Sequence, residues 1–192
     1  EYTCVGKYGT GSLYEMLKKE ILKNGGKIYL NKTLTKVEQN DSKITGLYFN
    51  NDKKKINIED GKTLLSTLPI NLMCRYLGMK SDLTFRGVRC VYLAINKNRV
   101  LPKKCSWIYF PSKELIFNRV SEHKTFTKYI APKNKTYLCV ETTYSKGDKV
   151  DKSSFKEFKE KIINDVVKTG LIKRKDIFGV SENKEDFVYP VQ

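Results

Sequence analysis

Apolar residues recur at spacings of three and four in two stretches of the chain, a pattern typical of amphipathic helices. The first stretch follows Ser12, a candidate N-cap, and stops at Gly25. The second begins at Ser153 or Ser154 and stops at Gly170. The apolar positions are Leu13, Met16, Leu17, Ile21, Leu22, Phe155, Phe158, Ile162, Ile163, Val166 and Val167. The pattern predicts one long helix in each half of the chain.

Short apolar runs bounded by Gly, Pro, Lys and Asn clusters predict β-strands. In the first half these runs are 27–30, 34–38, 44–49, 56–58 and 63–68. In the second half they are 88–95, 107–110, 115–120 and 137–144, followed by edge strands at 178–180 and 187–189. Between the two sets, Pro69 begins a short helix that Gly78 stops.

Helices and strands follow one another without regular β-α alternation, which favours the α+β class. We therefore predict a mixed, mostly antiparallel sheet with flanking helices. Residues 1–82 are expected to form a first part, a helix followed by a strand meander. Residues 83–192 are expected to form a second part, a sheet with one long helix.

The positive charge of the chain is large, with 37 Lys and Arg against 21 Asp and Glu and a formal net charge of +16. Six of the basic residues are Arg, the side chain suited to planar phosphate recognition, and the rest are scattered Lys. This distribution favours a solvated surface that remains compatible with a small anionic substrate. The alternative from another class is a non-catalytic basic module that binds RNA or other polyanions.

Cysteine and histidine usage limits the chemistry further. The five Cys are scattered without a Cys-x-x-Cys pair, and there is one His. This usage argues against a disulfide framework and a zinc site, and it favours a reducing compartment. No apolar run reaches the ~18 residues of a membrane span, and no signal sequence opens the chain. The sequence therefore predicts a cytoplasmic protein with no metal site and no membrane span.

Two segments carry candidate chemistry. Gly6, Gly9 and Gly11 precede the first helix, and such glycines serve either as a phosphate cradle or as a tight turn. Arg119 interrupts an apolar strand, and an inward-facing Arg needs a carboxylate partner or an anion. An outward-facing Arg with a surface partner remains the alternative. His123, at the expected end of the same strand, is interpreted as a surface histidine.

Several motifs of the first half, in order, resemble flavin-containing amine oxidases and protoporphyrinogen oxidase-like enzymes. They are Tyr8-Gly9-Thr10-Gly11-Ser12-Leu13, Gly25-Gly26-Lys27-Ile28-Tyr29-Leu30, Leu34-Thr35-Lys36-Val37 and Leu65-Ser66-Thr67-Leu68-Pro69. The resemblance implies that the glycine turn, the strand of Val37 and the segment of Thr67 and Pro69 lie against FAD. It gives Gly9, Gly11 and Val37 backbone contacts to the cofactor.

The second half narrows the resemblance. The segment 117–126 resembles the Thr-Arg-Ile/Val-x-Glu-x-Lys-x-Phe segment of UDP-galactopyranose mutases, with Asn118 in place of the usual Thr, and Tyr189-Pro190-Val191 resembles their Tyr-Pro-Ile/Val segment. The resemblance implies that Asn118, Arg119 and Tyr189 bind an anionic substrate such as a nucleotide-sugar, in surface polysaccharide synthesis. It implies a flavin-dependent oxidoreductase or, alternatively, a redox-neutral mutase.

Departures from these families matter equally. The chain has no Gly-x-Gly-x-x-Gly turn after a strand and no C-terminal glycine-rich segment to finish a flavin site. The motif order therefore indicates the central, substrate-side section of an enzyme about twice this length or more. We expect the section on its own to be inactive and to bind FAD weakly or not at all. No catalytic residue is assigned from the sequence.

Overall fold

The computed structural model describes residues 9–50 and 54–191, which form two compact units. The described residues of the larger unit are 9–20 and 85–190, and those of the smaller unit are 21–50, 54–84 and 191. Gly6 of the glycine turn lies outside the described residues.

The first helix, α1 (Gly11–Lys23), ends where the sequence predicts. Gly25 adopts a φ of 79°, its N–H donates to the carbonyl of Leu22, and the N–H of Gly26 donates to the carbonyl of Ile21. These two bonds form a Schellman motif, which satisfies carbonyls that the helix end leaves open. The helix begins one residue before Ser12, so Ser12 lies in the first turn and the predicted N-cap is wrong.

The smaller unit contains a three-stranded antiparallel sheet and a short helix. Its elements are β1 (Leu34–Asn40), β2 (Lys43–Phe49), β3 (Ile56–Asn57) and α2 (Ile70–Tyr76), with strand order β1-β2-β3. Val37 of β1 pairs with Leu47 of β2, and both side chains are buried. The Tyr76 hydroxyl donates to the Leu34 carbonyl at 2.6 Å, which joins α2 to β1. Pro69 precedes α2 and Gly78 follows it at positive φ, as predicted.

Two strands predicted in the first half do not form. Segments 27–30 and 63–68 pair with no other strand in the part of the chain that the structure describes. Their apolar side chains are largely exposed, including Leu30 and Leu65. An apolar run becomes a strand only where a neighbouring strand takes up its backbone N–H and C=O groups, and local sequence does not show that neighbour.

The larger unit contains a five-stranded antiparallel sheet in the order β5-β6-β7-β4-β8. Its elements are β4 (Phe85–Ile95), β5 (Trp107–Tyr109), β6 (Arg119–Ser121), β7 (Thr136–Ser145), α3 (Lys149–Lys152), α4 (Phe155–Lys168) and β8 (Ile177–Pro190). The two predicted C-terminal edge strands are the ends of one continuous edge strand. The predicted strand 115–120 pairs only from Arg119 onward. The α+β class with a mostly antiparallel sheet and flanking helices is confirmed.

One face of this sheet forms a hydrophobic core with α4. The core includes Val91, Leu93, Ile95, Val120, Leu138, Val140, Phe158, Ile162 and Val166. The helix starts at a capping box between Ser154 and Glu157, and Gly170 at positive φ follows it, as predicted. Because side chains alternate along a strand, the opposite face of the sheet presents a different set of residues.

No helix within residues 9–50 and 54–191 has the length and hydropathy that crossing a bilayer requires. Within the same residues, no group of three or more His, Cys, Asp or Glu side chains is placed to bind a metal ion.

Candidate functional site

The face of the five-stranded sheet opposite α4, named here the polar face, carries the candidate site. Cross-strand pairing places Tyr109, Arg119, Glu141, Cys90 and Asn183 side by side across all five strands. The next row is Trp107, Ser121, Cys139, Tyr92 and Ser181, and the row after it contains Tyr137, Ala94 and Gly179. Polar and aromatic side chains therefore share a face that the core does not occupy.

Arg119 is held by two neighbours on this face. Its Nε donates to Glu141 Oε1 at 2.8 Å, its Nη2 donates to Glu141 Oε2, and its Nη1 donates to the Tyr109 hydroxyl at 3.2 Å. The hydrogen bonds to Glu141 raise the pKa of Arg119 above its usual range. The side chain is 31% exposed, and these bonds use three of its five N–H groups. The guanidinium is thus oriented while still open to a ligand.

Hydrogen bonds continue from Glu141 along the polar face. The Ser121 hydroxyl donates to Glu141 Oε1 at 3.4 Å, and His123 Nε2 lies 3.4 Å from the same hydroxyl. His123 Nδ1 lies 2.8 Å from the Tyr137 hydroxyl. The chain of contacts therefore links Arg119, Glu141, Ser121, His123 and Tyr137.

The interpretation of His123 as a surface residue is wrong. The residue begins a single 3-10 turn after β6, it is half-buried, and its ring packs edge-on against Tyr137. Burial lowers the pKa of His123, the charge of Glu141 raises it, and the charge of Arg119 lowers it. The spacing of Arg119 and Ser121, which share one face of β6, with His123 two positions further on, was the signal in the sequence.

The buried Cys139 and the partly buried Tyr92 lie beside this chain of contacts. The pKa of the Cys139 thiol is raised by its hydrogen bond with Cys90 and by burial. Burial also raises the pKa of Tyr92. Both groups therefore keep their protons at neutral pH and serve the polar face as uncharged side chains.

Two of the cavities on the larger unit are lined by residues of this chain of contacts. The first, of about 340 Å³, is the glycine cleft, lined by Gly9, Thr10, Gly11, His123, Phe126, Thr127 and Ile130. The second, of about 420 Å³, is the tyrosine pocket, lined by Tyr92, Ala94, Tyr137, Gly179, Val180 and Ser181. Both volumes lie in the range of small-molecule sites, about 300–1,000 Å³. The hydrogen bond between His123 and Tyr137 joins a wall of one cavity to a wall of the other.

The three predicted substrate residues are not all brought together. Asn118 adjoins Arg119, is exposed, and bonds through its backbone to Phe110 and Glu141. Tyr189 pairs with Arg86 of β4, four residues along that strand from the row of Arg119 and three strands across. With strands ~4.8 Å apart and a rise of ~3.3 Å per residue, Tyr189 and Arg119 are about 20 Å apart at their Cα atoms. Tyr189 does not lie beside Arg119, and its substrate role stays a prediction.

The predicted cofactor residues divide between the units. Gly9 is buried with a φ of 54°, and Gly11 opens α1 beside it in the glycine cleft. Val37 lies on the edge strand β1, Thr67 is exposed, and Pro69 precedes α2. Within the larger unit, a glycine turn at the positive end of a helix is suited to a phosphate group. Within the smaller unit, taken by itself, β1 is an edge strand with one unpaired side among the described strands, which suits hydrogen bonding to a ligand.

Two residues of the 117–126 segment instead have structural partners. Glu122 is completely buried and accepts from the backbone N–H groups of Val100 and Leu101 and from the Thr136 hydroxyl. Lys124 Nζ donates to Asn98 and to the carbonyls of Pro132, Lys133 and Lys135 at distances of 2.6–3.1 Å. Both side chains form hydrogen bonds to backbone groups of loops next to the polar face, and the sequence motif did not indicate this structural role.

Comparisons with known proteins bear on the fold. A scan of protein-family models and a search of curated proteins gave no match. Among solved structures, reduced UDP-galactopyranose mutase matches with a TM-score of 0.76 and 17% identity, covering 95% of this chain and 40% of that one. The chain shares the fold of that enzyme over nearly all of its own length. At this identity the likeness concerns the fold alone.

Two further structures share that fold. A protein from Exiguobacterium sp. assigned as a protoporphyrinogen oxidase matches with a TM-score of 0.72 and 17% identity, over 98% of this chain and 41% of that one. An oxidoreductase from Methanosarcina mazei matches with a TM-score of 0.63 and 14% identity, over 93% of this chain and 43% of that one. The chain thus spans about two fifths of the length of the structures that it matches.

Proposed function

We propose that this chain is the substrate-side section of a flavin-dependent oxidoreductase that acts on a nucleotide-sugar. The observation that carries the proposal is Arg119, oriented on the polar face, where Glu141 and Tyr109 take up three of its five N–H groups within the described part of the chain. A redox-neutral mutase reaction on the same substrate class is the second candidate, favoured by the fold shared with UDP-galactopyranose mutase.

The position of Arg119 suits a phosphoryl group. Glu141 offsets much of its charge, so recognition depends on directed N–H bonds to phosphoryl oxygens more than on attraction between net charges. Tyr109 lies against the guanidinium, with its ring centre 5.7 Å from the guanidinium carbon, and restricts its orientation. The net charge of +16 adds a general attraction for an anionic substrate.

A flavin bound to the whole enzyme would supply hydride transfer, and this chain would supply part of its binding surface. Gly9 and Gly11 would offer backbone N–H groups at the start of α1, Val37 would offer the open edge of β1, and Thr67 and Pro69 would shape the wall before α2.

Replacing Arg119 with alanine tests the substrate site. We expect the Kd for UDP-galactose, measured by titration calorimetry on the 192-residue chain, to rise about 10- to 100-fold, because charged hydrogen bonds contribute ~1.5–3 kcal/mol. Arg174→Ala is the matched control, since Arg174 is exposed and bonds to Glu160 and Asn164. Equal, small changes in the Kd of both variants would show that Arg119 does not bind the substrate.

Flavin binding by this chain alone provides a second prediction. Only part of a flavin site is present, so FAD mixed in excess with the chain is expected to separate from it during gel filtration. Flavin absorbance in the protein peak measures the result. Stoichiometric retention of FAD would contradict the proposal that the site is completed by a larger enzyme.

A further inference from the structure

The tyrosine pocket has a flat floor and two aromatic walls. Ala94 of β4 and Gly179 of β8 face each other across the strand pair and form the floor. A Cβ atom built on Gly179 would lie 3.5 Å from the Cβ of Ala94, so small side chains keep this space open. The Tyr92 and Tyr137 rings stand beside it, with centroids 6.0 Å apart and an interplanar angle of 61°.

The lining of the pocket favours an uncharged ring that carries hydroxyl groups. It includes three hydroxyls, from Tyr92, Tyr137 and Ser181, and no charged side chain. Aromatic faces cover the apolar faces of such a ring, and the hydroxyls bond to its polar edge. A sugar has this combination, whereas a phosphate or a purely apolar ligand has only one half of it.

The hydrogen bonds behind Tyr137 set the orientation of its hydroxyl. Glu141 already accepts from Arg119, so Ser121 donates to Glu141 and His123 Nε2 donates to Ser121. The Nδ1 atom of His123 is then an acceptor, and the Tyr137 hydroxyl donates to it at 2.8 Å. The oxygen of Tyr137 is left with lone pairs that can accept a hydrogen bond from a ligand. Burial raises the pKa of Tyr137 to about 12, which keeps this hydroxyl protonated.

We propose that the tyrosine pocket binds the sugar ring of the substrate, with Tyr92 against its face and Tyr137 accepting a hydrogen bond from one of its hydroxyls. His123 positions Tyr137 and does not contact the sugar in this arrangement. The proposal rests on the proposed nucleotide-sugar function. It places the sugar over Ala94 and Gly179, four residues along the sheet from the row of Arg119 and two to three strands across, about 16–20 Å from Arg119 at the Cα atoms, with the phosphates extending from the pocket toward Arg119.

The single histidine of the chain makes a direct test available, because its ring proton signals in an NMR spectrum need no assignment. UDP, UDP-galactose and methyl β-galactoside are the probes. We expect UDP-galactose to bind about tenfold more tightly than UDP, and both galactose-containing probes to shift the His123 signals through Tyr137. In the variant Tyr137→Phe the sugar-dependent shift is expected to vanish, whereas in Tyr14→Phe, on exposed α1, it remains.

A steric variant completes the test. Gly179→Leu fills the pocket, and its Cβ meets only an ordinary contact, so the fold should tolerate it. Lys175→Leu, at an exposed position in the turn just before the same strand and outside the polar face, is the control. We expect Gly179→Leu to bring the affinity for UDP-galactose down to that for UDP, and Lys175→Leu to leave the tenfold difference in place.

The outcomes separate this proposal from the proposed function. Equal affinity of the wild-type chain for UDP and UDP-galactose, or a tenfold difference that survives Gly179→Leu, overturns the sugar pocket and leaves the role of Arg119 standing. A His123 shift with methyl β-galactoside but no binding of UDP supports the pocket and overturns the nucleotide-sugar function. Failure of all three probes overturns both.

Discussion

Replacing Glu122 with alanine is expected to destabilise the larger unit by about 3–5 kcal/mol, because it leaves several buried hydrogen-bond donors without an acceptor. The carboxylate accepts from Val100 N at 3.1 Å, Leu101 N at 2.7 Å and Thr136 Oγ1 at 2.7 Å, and the residue has no exposed surface. Urea unfolding measures the loss, followed by the fluorescence of Trp107, the only tryptophan and a residue of β5.

Two further variants show whether the carboxylate itself is responsible. Glu122→Gln keeps the shape but turns an NH₂ donor toward existing donors, so we expect a smaller loss of about 1–3 kcal/mol. Glu114→Ala changes an exposed residue of a preceding turn and is expected to alter stability by no more than ~0.5 kcal/mol. A loss below ~1 kcal/mol for Glu122→Ala would contradict the structural role given to this residue.

Local signals explain which elements could be predicted. The C-terminal ends of α1, α2 and α4 follow from glycines at positive φ, and the start of α4 follows from a capping box. Each of these signals lies within a few residues of the helix end that it sets. The prediction of strands at 27–30 and 63–68 was wrong because strand formation depends on a partner strand from elsewhere in the chain. Sequence periodicity therefore served the helices better than the strands of the first half.

The same distinction applies to the site. Electrostatics predicts that an inward-facing Arg119 has a carboxylate partner, and Glu141 on the neighbouring strand is that partner. The burial of His123 depends on a turn after β6 and on Tyr137, fourteen residues away. The separation of Tyr189 from Arg119 depends on the register of β8 against β4. Residue type predicted a partner, but only the pairing of strands decides which residues meet.

Among the described residues of the larger unit, the most deeply buried arginine is Arg89, on the α4 side of the sheet, and not Arg119. Arg89 is 2% exposed and donates to Glu182, to the Val150 carbonyl at 2.7 Å and to Ser153 Oγ at 2.8 Å. Its guanidinium carbon lies 4.0 Å from the centre of the Phe158 ring. The residue joins β4 and β8 to the segment that leads into α4, and nothing in these contacts offers it to a ligand.

Arg89→Ala is accordingly expected to cost about 3–5 kcal/mol in the free energy of unfolding, since it removes the donor that the Glu182 carboxylate, the Ser153 carbonyl and the Ser153 hydroxyl share. Arg86→Ala, an exposed arginine on the same strand that reaches Thr143, is the control and should cost no more than ~0.5 kcal/mol. Trp107 fluorescence during urea unfolding again measures both.

A double variant tests whether the Arg89–Glu182 ion pair stabilises the fold, or whether each charge only prevents the other from being buried without a partner. Replacing Arg89 with Met and Glu182 with Leu removes both charges while keeping apolar volume beside Phe158. Burying an ion pair costs desolvation that its attraction often fails to repay, so the double variant should recover most of the stability that Arg89→Ala loses. If it remains as unstable as Arg89→Ala, the bonds to Val150 and Ser153, which no apolar side chain can replace, hold β4 to α4.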